Sequence, residues 1–371
     1  MKKRISFFLL CFLAIFLLCP RVFALDEIPS PVEGSAIPKE VQKYLPEDIF
    51  DYSSEEFMEV FNLKSAFSAV ISIAGSVFPE VVSAFLLLLG LCVISAVLSA
   101  LKESAAVESL KHTLEFISVL CISSAAFYYV RDLFEDFSVF TQQVTSFMRV
   151  IVPAMSALML SCGEISASAV FGGVLAAVVA FLESFSVEIL VPLLSALVCI
   201  SVTSSVCSEV DISGFSRLLK NTITYVLSSV MLILTCVMTF QNVIAKSADT
   251  AAVKGVKFVI GNAVPIVGGA LADAVTTVAS SIGLVKAGTG IGGAVVICVI
   301  FGIPVIKMML WKLMLDAVGA VSAAFSLQKE RAFFSEISQI TGFLIAAMAS
   351  MAMLFIIALA AAAFTGGGAV K

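Results

Sequence analysis

A chain of 371 residues that is 60% hydrophobic and only 13% charged, with a mean hydropathy of +1.10, lies outside the composition of soluble globular proteins. The formal net charge of −5 comes largely from residues 25–80, where eleven acids face Lys39, Lys43 and Lys64, a balance that excludes nucleic acid as a partner. Nine cysteines form no CxxC pair and His112 is the only histidine, so no metal site, no cofactor and no enzyme machinery are expected.

Lys2-Lys3-Arg4, the apolar run 5–18 and Val22-Phe23-Ala24 are the charged, hydrophobic and small-residue parts of a secretory signal peptide, residues 1–24. Cleavage after Ala24 is expected, which sets the mature N-terminus outside the cytoplasm. Residues 25–80 then form an acidic extracytoplasmic arm ending in an amphipathic helix. Ser53 with Glu56 three residues on fits a capping box, and Phe57, Val60, Phe61, Lys64, Phe67, Ile71 and Ala74 follow at helical spacing. The helix is expected to stop near Pro79 and to lie on the membrane surface or against an extracytoplasmic partner.

Residues 81–371 read as an all-α, multi-pass membrane domain of about seven to eight transmembrane helices. Residues 81–101 carry no charge and form the clearest span; 114–130 is the second, followed by a charged amphipathic segment to Arg149. Residues 150–163 and 165–182 are separated only by Glu164, which forces a tight hairpin. Residues 189–208 and 221–245 are further spans, with Arg217 and Lys220 between them suiting the cytoplasmic side. Lys246, Asp249, Lys254 and Lys257 mark an interfacial helix or a partner contact. Residues 287–306 are a Gly-rich span whose small residues let neighbouring backbones approach. Residues 307–339 suit an amphipathic hairpin with Trp311 at the headgroups, and 340–364 is the last span. The cysteines of these runs read as small buried hydrophobes.

Residues 258–286 are not absorbed by a plain row of spanning helices. Their apolar runs, 258–272 and 274–285, are each shorter than the roughly 20 residues a crossing helix needs. One continuous helix would carry Pro265, Gly268, Gly269 and Asp273 near its centre, where a carboxylate costs about 2.5–3.5 kcal/mol. Two half-helices in a re-entrant hairpin avoid that cost, and broken backbone at membrane depth survives only inside protein or along a watery cavity. Asn262, Pro265, Gly268, Gly269 and Asp273 are therefore the candidate passage-lining or hinge residues. The alternative is a helix kinked at Pro265 with Asp273 paired to a neighbour. An internal repeat is also suggested, since the order of span, charged segment, broken hairpin and span recurs. Pro153 and Pro265 lie 112 positions apart (265 − 153), as do Pro192 and Pro304 (304 − 192). Interrupted segments at matching places in two halves point to a transporter's binding site.

The signal peptide, the acidic arm and above all residues 245–275, AKSADTAAVKGVKFVIGNAVPIVGGALADAV, resemble the stage III sporulation protein AE family of endospore-forming bacteria. The most specific part joins Asp249, Lys254, Lys257, Phe258, Asn262, Pro265, Gly268-Gly269 and Asp273. The resemblance implies a polytopic, non-enzymatic protein of the mother-cell membrane facing the forespore, within a secretion-like assembly that connects the two cells. Its implied partners are membrane lipid, other stage III sporulation membrane proteins and a forespore-side protein, and the family brings no catalytic residues. Two functions compete. In one the hairpin and the Gly-rich span line or gate a passage between proteins. In the other the chain is a secondary transporter, or permease, for a small solute, coupled through Asp273. An intramembrane protease is disfavoured, for no span holds a histidine or a second well-placed aspartate.

Overall fold

The structure, a computed structural model, describes residues 37–43, 63–104, 108–206, 213–263 and 268–363. The expected signal peptide and the capping box at Ser53 and Glu56 lie outside the described residues. Among those described, every regular element is helical. In chain order they are α1 (Lys39–Gln42), α2 (Leu63–Ser104), α3 (Glu108–Ser161), α4 (Ile165–Ser184), α5 (Val191–Val206), α6 (Ser213–Ala263), α7 (Gly268–Ala324) and α8 (Gln328–Ala363). A π-helical turn, Phe185–Leu190, carries α4 into α5. With α4 and α5 taken as one rod, six helices among the described residues are long and apolar enough to cross a membrane, and the chain is a polytopic membrane protein.

The separate runs of the sequence fuse into longer rods. The second span, the charged amphipathic segment and the run after it form one helix, α3, of 54 residues, about 81 Å at 1.5 Å per residue. Residues 165–182 and 189–208 join through the π turn. Pro192 has no N–H to offer, and the Val191 N–H bonds instead to the Ser186 carbonyl, the wider spacing that lets a helix pass a proline without stopping. The helix expected to stop near Pro79 instead runs through it to Ser104 as α2, because the uncharged run beyond it packs on α3 and α7. Six such helices lie among the described residues, beside the about seven to eight expected for the whole chain.

The α3–α4 hairpin forms where Glu164 interrupts the apolar sequence. Gly163 turns it at φ +83°, a left-handed conformation that favours glycine. The Glu164 N–H reaches back to the Met159 carbonyl at 3.0 Å, and the Ser168 N–H bonds to the Glu164 carbonyl at 2.9 Å.

The central rod is α7, on which α2, α3, α6 and α8 all pack. From Lys286 to Met308 only Cys298 is exposed, and the other residues are buried or half-buried among the neighbouring rods. It has Gly290 and Gly293 where α8 and α3 come closest: a Cβ on Gly290 would stand 2.5 Å from the Ala363 Cβ, and one on Gly293 would collide with Ile151 and Leu359. Among the described residues a Cβ on Gly172 would likewise meet Ser156 Oγ, at 2.8 Å. The acidic arm also touches the bundle, since Ile37 and Val41 are buried in the core and α1 packs on α7.

Two expectations about side chains are corrected. Trp311 is not at a headgroup surface. It is 1% exposed and packs on Tyr129 with ring centroids 4.8 Å apart, because α2, α3 and α8 close around the half of α7 that carries it. The cysteines are not uniformly buried: Cys92 is, whereas Cys121, Cys199, Cys236 and Cys298 are exposed on outward faces. An apolar run supplies both inward and outward positions in a bundle surrounded by lipid.

Candidate functional site

The stretch singled out by sequence spans the end of α6 and the start of α7. The backbone of α6 is continuous through Lys246, Asp249, Lys254, Lys257 and Asn262 to Ala263, and α7 opens at Gly268 and Gly269 with Asp273 in its second turn. Pro265 lies outside the described residues. The helices flanking it are thus the ends of rods of 51 and 57 residues. Separate short half-helices were expected, and the apolar runs gave no sign of this continuity.

The last residue of that stretch, Lys286, has a defined partner. Its Nζ lies 2.8 Å from Glu164 Oε1, with side-chain exposures of 2% and 9%, so the hairpin turn and α7 are joined by a buried ion pair across 122 positions of sequence. The other carboxylate oxygen, Glu164 Oε2, is buried without a hydrogen-bond partner. Cys162 lies beside the pair.

A second pair, between α3 and α7, sits farther along the bundle. Lys307 on α7 donates to Asp136 Oδ1 at 3.2 Å and stands 2.9 Å from Oδ2 without hydrogen-bonding geometry there, which leaves Oδ2 unpartnered in that sense. Asp132 and Glu80 lie within electrostatic reach of both groups. The two lysines are 21 positions apart on α7 (307 − 286), about 31 Å along a helix, close to the roughly 30 Å of a hydrocarbon core. Intervening residues 287–306 are the Gly-rich span. A third polar layer follows near the α7–α8 turn: Ser95 donates to the buried Glu330 at 2.7 Å, and Ser338 bridges Lys312 and Asp316 at 2.7 and 2.5 Å.

Charged groups inside a membrane bundle are costly and pair with one another, so they mark functional positions by default. The candidate site is therefore the interior seam of α7 with α3, closed at each end by an ion pair. Sequence reasoning used Glu164 and Lys286 as boundaries and Asp136 and Lys307 as parts of charged segments, and it named none of them as a site. A signal existed: each interrupts or borders a long apolar run. Their pairing was not legible, because it depends on how α3 and α7 align in space.

A polytopic helical bundle with ionic pairs along a central rod defines an integral membrane protein whose chemistry consists of charge pairing and close packing. The family model for stage III sporulation protein AE matches residues 47–366, and the chain belongs to that family. The chain is 24% identical over 230 residues to stage III sporulation protein AE of Bacillus subtilis (strain 168), a match covering 62% of this chain and 57% of that protein. No solved structure matches. A role in sporulation follows from the family.

Proposed function

We propose that this chain is a non-enzymatic subunit of a secretion-like assembly spanning the membranes between mother cell and forespore, in which it lines or gates a passage. The observation that carries the reading is membership of the sporulation family over residues 47–366. The interior supports it, since the described helices bury charge as pairs between neighbouring rods. In this reading the chain is a multi-pass protein of the mother-cell membrane. Its signal peptide is removed, its mature N-terminus is extracytoplasmic, and it meets lipid, other stage III sporulation membrane proteins and a forespore-side partner. Asn262, Pro265, Gly268, Gly269 and Asp273 form a hinge or lining segment where α6 passes into α7, and Lys246, Asp249, Lys254 and Lys257 offer contacts at the interface or to a partner.

A second reading is a secondary transporter for a small solute coupled through Asp273, since ion coupling needs an intramembrane carboxylate. One substitution separates the two. Asn keeps the volume and polar contacts of Asp273, so Asp273→Asn sporulates where Asp273 only lines a passage, while Asp273→Leu fails. A coupling carboxylate loses function in both. Counts of heat-resistant spores at matched membrane levels decide it, and loss in Asp273→Asn sinks passive lining.

A further inference from the structure

The rods do not end at the level of the Lys307–Asp136 pair. Beyond it, on the side away from Lys286, α7 continues for 15 positions to Ser322 (322 − 307), about 22 Å along the helix. Four contacts fix which parts of the neighbouring helices stand at this height. Phe334 of α8 packs beside Gly319, the Cys92 thiol of α2 lies 3.4 Å from Ser322 Oγ, Ser95 of α2 donates to Glu330, and Leu91 of α2 shares a groove with Leu120, Cys121, Ser124 and Ala125 of α3. Lys286 and Lys307 already bracket the thickness of one hydrocarbon core, so this level lies outside it.

On one side of the bundle the surface agrees with that placement. Asp316 of α7 is exposed, and α8 exposes Gln328, Arg331, Ser335 and Gln339 at spacings of three and four, a polar stripe suited to water. On the other side it is apolar. Leu87, Ile94 and Val97 of α2 and Ile117, Leu120 and Phe127 of α3 are each at least 45% exposed, and neither residues 81–101 nor residues 117–130 hold a charge. These runs are apolar enough to span a bilayer, yet their height sets them beside the polar stripe of α8. A large apolar patch at a level where the same bundle meets water marks a protein interface. The α3 face then ends in charge, since Ile117, Leu120, Ser124, Phe127, Arg131 and Glu135 follow one another at spacings of three and four. Among the described residues Arg131 and Glu135 form no salt bridge, and neither does Glu80, exposed at the foot of the same patch on α2.

We infer that this α2–α3 face is the docking surface for a second copy of the chain, set parallel to the first about a two-fold axis along the membrane normal. Whatever covers the face must present an apolar surface that starts at the membrane edge and runs about 20 Å away from it, and a second copy in the same membrane does so by identity. The charges at its foot are complementary to themselves. In a two-fold interface each contact occurs twice, so Arg131 of one copy reaches Glu135 of the other, one turn along, and the reverse holds as well. A foot of one sign would repel its own copy. The pairing is independent of whether the chain lines a passage.

The test joins copies across the face. In the full-length protein within membranes of sporulating cells, with the other cysteines replaced, the exposed Cys121 is expected to link two copies through a short bismaleimide on the order of tenfold more efficiently than Cys236, exposed on α6. Equal yields would mean chance collision, and no linked product at Cys121 would mean that no copy sits there; either result overturns the inference. A readout free of cysteine chemistry uses two differently tagged copies in one cell, where capture of one in mild detergent is expected to bring the other. Arg131→Glu should weaken that capture and Arg131→Glu combined with Glu135→Arg should restore it; no restoration would refute the two-fold arrangement. Ile94→Lys, on the apolar part of the face, should accumulate normally and lose co-capture. Depletion of Ile94→Lys from the membrane with co-capture unchanged would place the face in lipid and overturn the docking surface.

Discussion

The two ion pairs on α7 have the same chemistry and different surroundings. Lys286 and Glu164 are nearly sealed, and Gly290, one turn from Lys286, lets the end of α8 press close at Ala363. Lys307 and Asp136 are about a quarter exposed, at 23% and 25%, with two further acids in reach. Prolines lie within the continuous helices around this pair: Pro304 is one turn before Lys307 on α7, and Pro79 immediately precedes Glu80 on the neighbouring α2. The sealed pair makes a fixed joint between the α3–α4 turn and α7, while the open pair sits where the rods are free to bend, since proline removes a helical hydrogen bond and kinks its helix. Burial thus assigns the two pairs different work. One holds the bundle in register, and the other adjusts.

The sealed pair should give the largest effect. Removing one partner leaves a charge uncompensated in the interior, at a cost of about 3–5 kcal/mol. Glu164→Leu or Lys286→Met is therefore expected to lower the unfolding temperature of the detergent-purified protein strongly, whereas the double variant recovers most of the loss because both charges leave together. Thermal unfolding of the three proteins measures it. A double variant as unstable as either single one would mean that the pair's hydrogen bond, and not its charge balance, holds the joint.

How much of this was legible beforehand varies along the chain. The turn at Gly163 and Glu164 was, since a lone carboxylate between two apolar runs has few places to go. So was the close-packed character of residues 287–306, because glycines at Gly290 and Gly293 serve little purpose in a helix except approach. The fused rods were not legible: Pro79 read as a stop and the charged segments between apolar runs read as boundaries, and only the packing of the following residues shows that the helix continues. Trp311 was misplaced for a related reason. Aromatic residues near charged ones mark an interface in a single-span picture, but here Lys312 reaches Ser338 while the indole on the adjacent face is covered.

The packing that seals the first pair can be broken without touching a charge. At Gly290 an added methyl group meets Ala363, and overpacking of this kind costs about 1–3 kcal/mol. At Gly302 a Cβ would meet nothing within 4 Å. Gly302→Ala should therefore be neutral or stabilise by up to about 1 kcal/mol through helix propensity. Gly290→Ala should melt at lower temperature than the parent and Gly302→Ala no lower. Equal behaviour of the two would mean that α8 gives way at Ala363 and that the seal is softer than the contact suggests.

The open pair should give the smallest effect and the one that responds to conditions. Water reaches both side chains, so Asp136→Asn is expected to cost about 1 kcal/mol, between the value of an exposed pair and that of a sealed one. Glu80 and Asp132 remain near Lys307 after the substitution and take over part of its compensation, which reduces the loss further. Ionic strength separates the two pairs cleanly. Added salt screens charges that water reaches and barely touches those it does not, so the destabilisation by Asp136→Asn should shrink between low and high salt while that of Glu164→Leu stays constant. The measurement is thermal unfolding of both variants and the parent across a salt series in one detergent. A loss at Asp136 as large as that at Glu164, and equally indifferent to salt, would erase the distinction between a fixed joint and an adjustable one.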